Sequence, residues 1–134
     1  MYYVDTHIRV RYAETDQMGF VYYGVYPQYY EVGRVELLRS LSLPYKKLED
    51  MGYWLPVINL EVNYKKPALY DDLITVRTII KEIPSSKIIF YYKIFNQKED
   101  LLNTGNVSLA FMNKITKKVC SPPDIILDKL GSKL

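Results

Sequence analysis

The sequence predicts an α+β domain in which one long helix lies against a mainly antiparallel sheet. Three observations predict it. A single β-type run precedes one long helical pattern, and four period-two runs follow it. The turns between those four runs are too short for crossover connections, so neighbouring strands must run antiparallel. The helical pattern carries too many apolar residues for a thin stripe, as expected of a helix covered on more than one side. The whole chain, 134 residues, is expected to fold as one domain, 1–134.

The first strand is expected over residues 4 to 13, because Ile8, Val10 and Tyr12 alternate with Arg9 and Arg11. A polar loop follows from Glu14 to Tyr22. The helix must begin between Tyr23 and Pro27, since proline is tolerated only in a first turn. Its apolar positions run from Tyr26 through Tyr29, Tyr30, Gly33, Leu37 and Leu38 to Leu41. Gly33 costs about 1 kcal/mol of helix propensity relative to alanine, a cost that close helix-to-sheet contact would explain.

Pro44 introduces a short helical piece, Tyr45 to Asp50, ended by Gly52. Val57, Leu60, Val62 and Tyr64 mark a long strand closed by Pro67, and Asp71-Asp72 make a turn. Further strands are expected from Ile74 to Ile83, from Ile88 to Phe95 and from Leu101 to Met112. Pro84-Ser85-Ser86 and Asn96 to Asp100 are the turns between them. Asn113-Lys114 lead to a final short β piece, and Asp124 to Leu130 read as a C-terminal helix after Pro122-Pro123.

The bulk composition narrows the function. The formal net charge is +3 and the basic residues are spread along the chain, which argues against a dedicated nucleic-acid protein. The single cysteine, Cys120, excludes an intrachain disulfide and a cysteine-rich metal site, and no cofactor or metal is expected. His7, the one histidine, is expected on an exposed strand position, and no G-x-S-x-G element accompanies it. No apolar run approaches membrane-spanning length, and Met1 to Val10 lacks the apolar core of a signal peptide. A reducing cytoplasm is the expected location, with no membrane partner. The 14 tyrosines suggest amphipathic packing surfaces or interfaces.

Residues Val10 to Glu31 carry the chemistry. A carboxylate-bearing loop, with Glu14 and Asp16, stands a few residues before a helix N-terminus. Water can be activated by a carboxylate there, and a developing oxyanion can be held by unpaired backbone N–H groups. The run Tyr12-Ala13-Glu14-Thr15-Asp16-Gln17-Met18-Gly19-Phe20-Val21-Tyr22-Tyr23, followed by Gly24-Val25-Tyr26 and then Tyr30-Glu31, resembles the 4-hydroxybenzoyl-CoA thioesterase branch of the hotdog-fold acyl-CoA thioesterases. A second matching region is Val62-Asn63-Tyr64-Lys65-Lys66-Pro67-Ala68, with Asp71-Asp72 before the next strand. In length and order of elements the likeness covers nearly the whole chain. It implies a hotdog fold: a curved, mainly antiparallel sheet around a central helix.

The resemblance implies hydrolysis of an acyl-CoA thioester to a carboxylic acid and free CoA. Asp16 aligns with the catalytic aspartate and would act as nucleophile or general base. Without the resemblance, Asp16 reads as a loop residue bonding its own backbone. The backbone N–H of Tyr23 would serve as oxyanion donor, or that of Gly24 if Pro27 shifts the helix origin. Tyr23 stands where many relatives have histidine and Val25 where they have asparagine, so the helix start is expected to be uncapped.

Thr15 and Gly19 are candidate substrate contacts, Gly19 through a positive φ or a close approach. Asn63, Lys65 and Lys66 are candidates for CoA, with Asn63 and Lys65 on one strand face and Lys66 on the other. Glu31 is expected to pair with Arg34 across i,i+3, and Cys120 is expected to be inert. Because the helix hides one sheet face, the other face and the edges are expected to need cover from a homodimer or homotetramer. Two other functions fit the same elements. One is a non-catalytic hotdog module that binds acyl-CoA or an acyl carrier protein. The other is a dehydratase or hydratase, whose relatives pair a histidine with an acid; His7 lies in the first strand instead.

Overall fold

The structure, a computed structural model, describes residues 1–134. Strand β1 is Tyr2–Arg9, helix α1 is Tyr26–Ser40 and helix α2 is Tyr45–Asp50. Strands β2 to β7 follow as Tyr53–Trp54, Val57–Tyr64, Leu73–Ile80, Lys87–Phe95, Leu101–Ala110 and Met112–Asn113, and helix α3 is Asp124–Gly131. Five strands form one sheet in the order β1-β4-β5-β6-β3, with every neighbour antiparallel. The small β2–β7 pair stands apart from it. Helix α1 lies on the inner face of the sheet, giving the α+β hotdog architecture that the sequence predicts.

Three strand boundaries differ from expectation. β1 stops at Arg9 rather than running to residue 13, because Tyr12–Glu14 closes into a 3₁₀ turn around the Glu14 carboxylate. Tyr12 is consequently exposed rather than part of an apolar face. β4 ends at Ile80, and Ile83 lies in the exposed turn beyond it. The last long strand breaks at Phe111, whose buried ring joins the core while Met112–Asn113 pairs with β2.

The core forms where α1 meets β4, β5 and β6. Tyr30 stacks on Tyr92 with ring centroids 4.0 Å apart and planes within 3°. Its hydroxyl donates to Asn103 Oδ1 at 2.7 Å, which satisfies a polar tip inside an apolar layer. Tyr29, Leu37, Leu38 and Leu41 complete the buried side of the helix. Burial of a leucine of this kind contributes about 1.5–3 kcal/mol. Gly33 is the point of closest approach. A Cβ there would collide with Thr78 Oγ1 and stand 3.0 Å from Val76 Cγ1.

Arg34 does not pair with Glu31. No carboxylate lies within 4.0 Å of it; its side chain is buried, while Glu31 faces outward. The outer sheet face carries a polar patch where β1 meets β4. Arg77 makes a two-pronged bond to Asp5 at 2.8 and 3.0 Å, and His7 Nδ1 lies 3.1 Å from Thr75 Oγ1. What remains uncovered is the edge strand β3. Val57, Ile58, Leu60 and Tyr64 are all exposed along it, Leu60 to 44%.

The crowding at Gly33 gives a first test. Gly33→Ala should destabilise the fold by about 1–2 kcal/mol in urea denaturation, although alanine is the better helix former.

Candidate active site

A cleft of about 280 Å³ opens between the loop before α1 and the end of β3. Asp16, Met18, Phe20, Val21, Tyr23 and Tyr26 form one wall, and Tyr64, Lys65, Lys66 and Pro67 form the other. Of the residues singled out in the sequence, Asp16, Tyr23, Lys65 and Lys66 meet here. Thr15, Gly19 and Asn63 are not among its walls. Thr15 Oγ1 donates to Tyr12 O at 2.8 Å and closes the 3₁₀ turn. Gly19 has φ +80°, the left-handed conformation expected of it, and turns the loop back. Asn63 is exposed on the outer face of β3, opposite Thr104.

The loop is held by Glu14, which sequence reasoning had counted only as part of a polar turn. Its Oε1 accepts the Arg11 N–H and the Tyr29 hydroxyl, both at 2.9 Å. Its Oε2 accepts Arg11 Nε and Nη2, both at 3.1 Å. Its own carbonyl accepts the Tyr22 N–H at 2.9 Å. Burial by itself would raise the carboxyl, but the Arg11 N–H, the Tyr29 hydroxyl and the Arg11 guanidinium outweigh it and hold the pKa below the ordinary value of 4.5. Burial, then the Glu14 charge, pushes the Tyr29 phenol far above its usual range, so Tyr29 stays a donor.

Asp16 sits at the tip of this frame. Its Oδ1 accepts the Met18 N–H at 2.9 Å and the Phe20 N–H at 3.2 Å. Its backbone N–H donates to Phe20 O at 2.8 Å. The self-bonded loop geometry and a place on the cleft wall therefore coexist in one residue. Oδ2 makes no hydrogen bond or ion pair within the chain. One carboxylate oxygen fixes the group and the other is unpartnered.

After the loop, Tyr23–Val25 forms a 3₁₀ turn leading directly into α1, with Pro27 in the first turn. No side chain caps either start, as Val25 in place of a capping residue predicts. The Tyr23 and Gly24 N–H groups have no partner. They carry the partial positive charge of an open helix end.

The lysines reach the same cleft because β3 ends in a bulge. The Lys65 and Lys66 N–H groups both donate to Leu102 O at 2.9 Å, so the strict alternation expected for this pair fails. Lys66 Nζ lies 3.9 Å from Asp100 Oδ2 with both groups exposed, a pairing worth a few tenths of a kcal/mol. Lys65 has no carboxylate within 4.0 Å. Two further wall residues escaped sequence reasoning, Tyr26 and Tyr64. Both lie inside the matched motifs, but among 14 tyrosines nothing marks these two. Their rings meet edge to face at 5.5 Å, and the Tyr26 hydroxyl accepts the Ala68 N–H at 3.0 Å.

A carboxylate, an open helix end and an apolar cleft rimmed by lysines on a hotdog frame define a thioester hydrolase. The family model that matches, over residues 10–130, is that of the thioesterase-like superfamily, and the chain belongs to that family. YneP of Bacillus subtilis (strain 168) is 40% identical over 94 residues, 70% of this chain and 68% of that protein. The acyl-CoA thioester hydrolase YbgC of Escherichia coli O6:H1 is 29% identical over 120 residues, 90% of each chain. Among solved structures, the DHNA-CoA thioesterase of Staphylococcus aureus superposes with a TM-score of 0.90 at 34% identity, covering 98% of this chain and 93% of that one. No helix is long and apolar enough to cross a membrane.

The Glu14 frame is testable through pH. A carboxyl whose pKa is depressed by folding stabilises the protein above its unfolded pKa, and that contribution is lost as pH falls through the folded pKa. Glu14→Gln should therefore cost about 1–3 kcal/mol at neutral pH. The gap between variant and wild type should close as pH drops below 4.5, followed by chemical denaturation across the acid range.

Proposed function

We propose that the protein hydrolyses acyl-CoA thioesters to a carboxylic acid and free CoA, with the cleft at Asp16 as its active site. The observation that carries this reading is the unpartnered Asp16 Oδ2 on the wall of a cleft that also holds the start of the α1 segment. In the general-base route, Asp16 takes a proton from water as the water oxygen attacks the thioester carbonyl carbon. The carbonyl oxygen becomes an oxyanion facing the helix N–H groups at Tyr23. Collapse breaks the C–S bond, and the leaving CoA thiolate recovers the proton from Asp16. In the nucleophilic route Asp16 Oδ2 itself attacks the carbonyl carbon, the C–S bond breaks to expel CoA thiolate, and water then opens the acyl anhydride, releasing the carboxylic acid and regenerating the Asp16 carboxylate as the thiolate takes up the remaining proton.

Lys65 and Lys66 suit the phosphates of CoA, and the Phe20, Val21, Tyr26 and Pro67 surfaces suit an acyl group. The exposed apolar residues of the β3 edge lead along the strand to Tyr64 on the cleft wall. A second copy of the chain fits there, burying both edges and walling the cleft. The gap of tyrosine for histidine at Tyr23 leaves no imidazole beside Asp16, so the carboxylate works without one.

Two measurements test the reading. Asp16→Asn keeps an oxygen for the Met18 and Phe20 N–H groups, so it should fold with unchanged Tm yet lose at least 100-fold in kcat on a panel of acyl-CoA substrates. Near wild-type turnover in the variant would remove Asp16 from the chemistry. Acyl-CoA binding by the wild type without thiol release would favour a non-catalytic module for acyl-CoA or acyl carrier protein. Separately, Leu60→Lys should convert a wild type of twice the chain mass, or a higher even multiple, into monomer by light scattering.

A further inference from the structure

Glu31, Arg34 and Val35 stand at i, i+3 and i+4 on α1, and Tyr45 and Glu49 stand at i and i+4 on α2. These spacings put each set on one side of its helix, and together the two sets line a cavity of about 310 Å³. The cavity shares no residue with the cleft at Asp16. Its volume is that of a small-molecule site rather than of a single water, which takes about 30 Å³.

Arg34 is the unusual member of this wall. A guanidinium keeps its charge at any pH a folded protein meets and offers a rigid fork of N–H donors. Arg34 is 9% exposed, yet it forms no ion pair, and its Nε is enclosed without an acceptor. The nearby Tyr92 hydroxyl feels the guanidinium charge but makes no well-formed hydrogen bond either. A buried charge without a partner is strongly destabilising, so an acceptor brought from outside gains most where the chain supplies none.

Charge sets the class of that acceptor. Glu31 and Glu49 are exposed at the same cavity, and neither pairs with a cation. The charges of Arg34, Glu49 and Glu31 all act on the Tyr45 phenol, so the three groups surround one ring. That ring is fixed, because its hydroxyl donates to Leu55 O at 2.9 Å. A simple anion would meet Arg34 but stand against two carboxylates, and a simple cation would meet the carboxylates but stand against Arg34. A molecule with a carboxylate at one end and an ammonium at the other satisfies both.

We propose that the cavity between α1 and α2 is a binding site for a small amino acid, with its carboxylate on the buried Arg34 and its ammonium toward Glu31 and Glu49. The site stands apart from the proposed hydrolysis at Asp16 and does not depend on it.

An NMR titration of the full chain tests the site. In ¹⁵N-labelled protein, at least one of glycine, β-alanine and 4-aminobutyrate should shift the Arg34 Nε–Hε signal saturably at millimolar concentration. Propionate should bind about tenfold more weakly or worse, and propylammonium should leave the signal in place. Glu31→Gln combined with Glu49→Gln should bring the amino acid and propionate to equal affinity. Arg34→Met should bind none of the panel and keep or raise Tm, since it removes an unpaired buried charge. No saturable shift with any of the three amino acids, or propionate binding as tightly as they do in the wild type, would overturn the proposal. A loss of about 5 °C or more in Arg34→Met would overturn it too, because the chain would then be supplying the partner of the guanidinium itself.

Discussion

The buried Glu14 carboxylate holds together everything the cleft needs. It gathers the backbone and guanidinium of Arg11, at the end of the first strand's run, and the hydroxyl of Tyr29, one turn inside α1. Its backbone oxygen takes the Tyr22 N–H just before the helical turn. Both ends of the Asp16 loop are thereby fixed to the same residue. A loop of this length would otherwise sample many conformations, and ordering a residue costs about 1–2 kcal/mol. Charge-assisted hydrogen bonds of a nearly buried carboxylate are among the few local interactions large enough to offset that.

The division of labour between the two acids of this loop follows from their surroundings. Glu14 has every oxygen engaged, so it is spent on structure. Asp16 has one oxygen held by the Met18 and Phe20 N–H groups and one with no partner. Only Thr15 separates them, yet the 3₁₀ turn at Tyr12–Glu14 sends one carboxylate inward and the reversal at Gly19 keeps the other on the cleft. The same logic applies across the cleft. The bulge after Tyr64 puts Lys65 and Lys66 on one rim, where a regular strand would have split them.

Element order, the helix start near Pro27, the tight contact at Gly33 and the short C-terminal helix were legible in the sequence because each rests on local rules. These are period, proline geometry and the steric size of a side chain. The meeting of Asp16 with Tyr23 was legible because one loop joins them. Long-range pairings were not. Nothing local announces that Glu14 will find Tyr29, that Arg34 will turn into the core instead of toward Glu31, or that Tyr64 will reach Tyr23. The polar patch on the outer face was in fact written in the alternation of Asp5, His7, Thr75 and Arg77. It yields only when the β1–β4 register is known, since that register sets Asp5 beside Arg77. Period-two patterning gives the faces of a strand, not its partner.

Pro27 links the sequence to the chemistry most directly. A proline in the first turn of α1 has no N–H for an i→i−4 bond to Tyr23, and the Tyr23 oxygen accepts the Tyr64 hydroxyl at 2.9 Å. Tyr64 bonds that carbonyl from the far wall, and the two sides of the cleft become one mechanical unit. No side chain caps the helix at Val25, so no cap occupies the N–H groups at its start. The features that weaken this helix start as a piece of secondary structure are those that leave its positive end open, as the proposed hydrolysis requires.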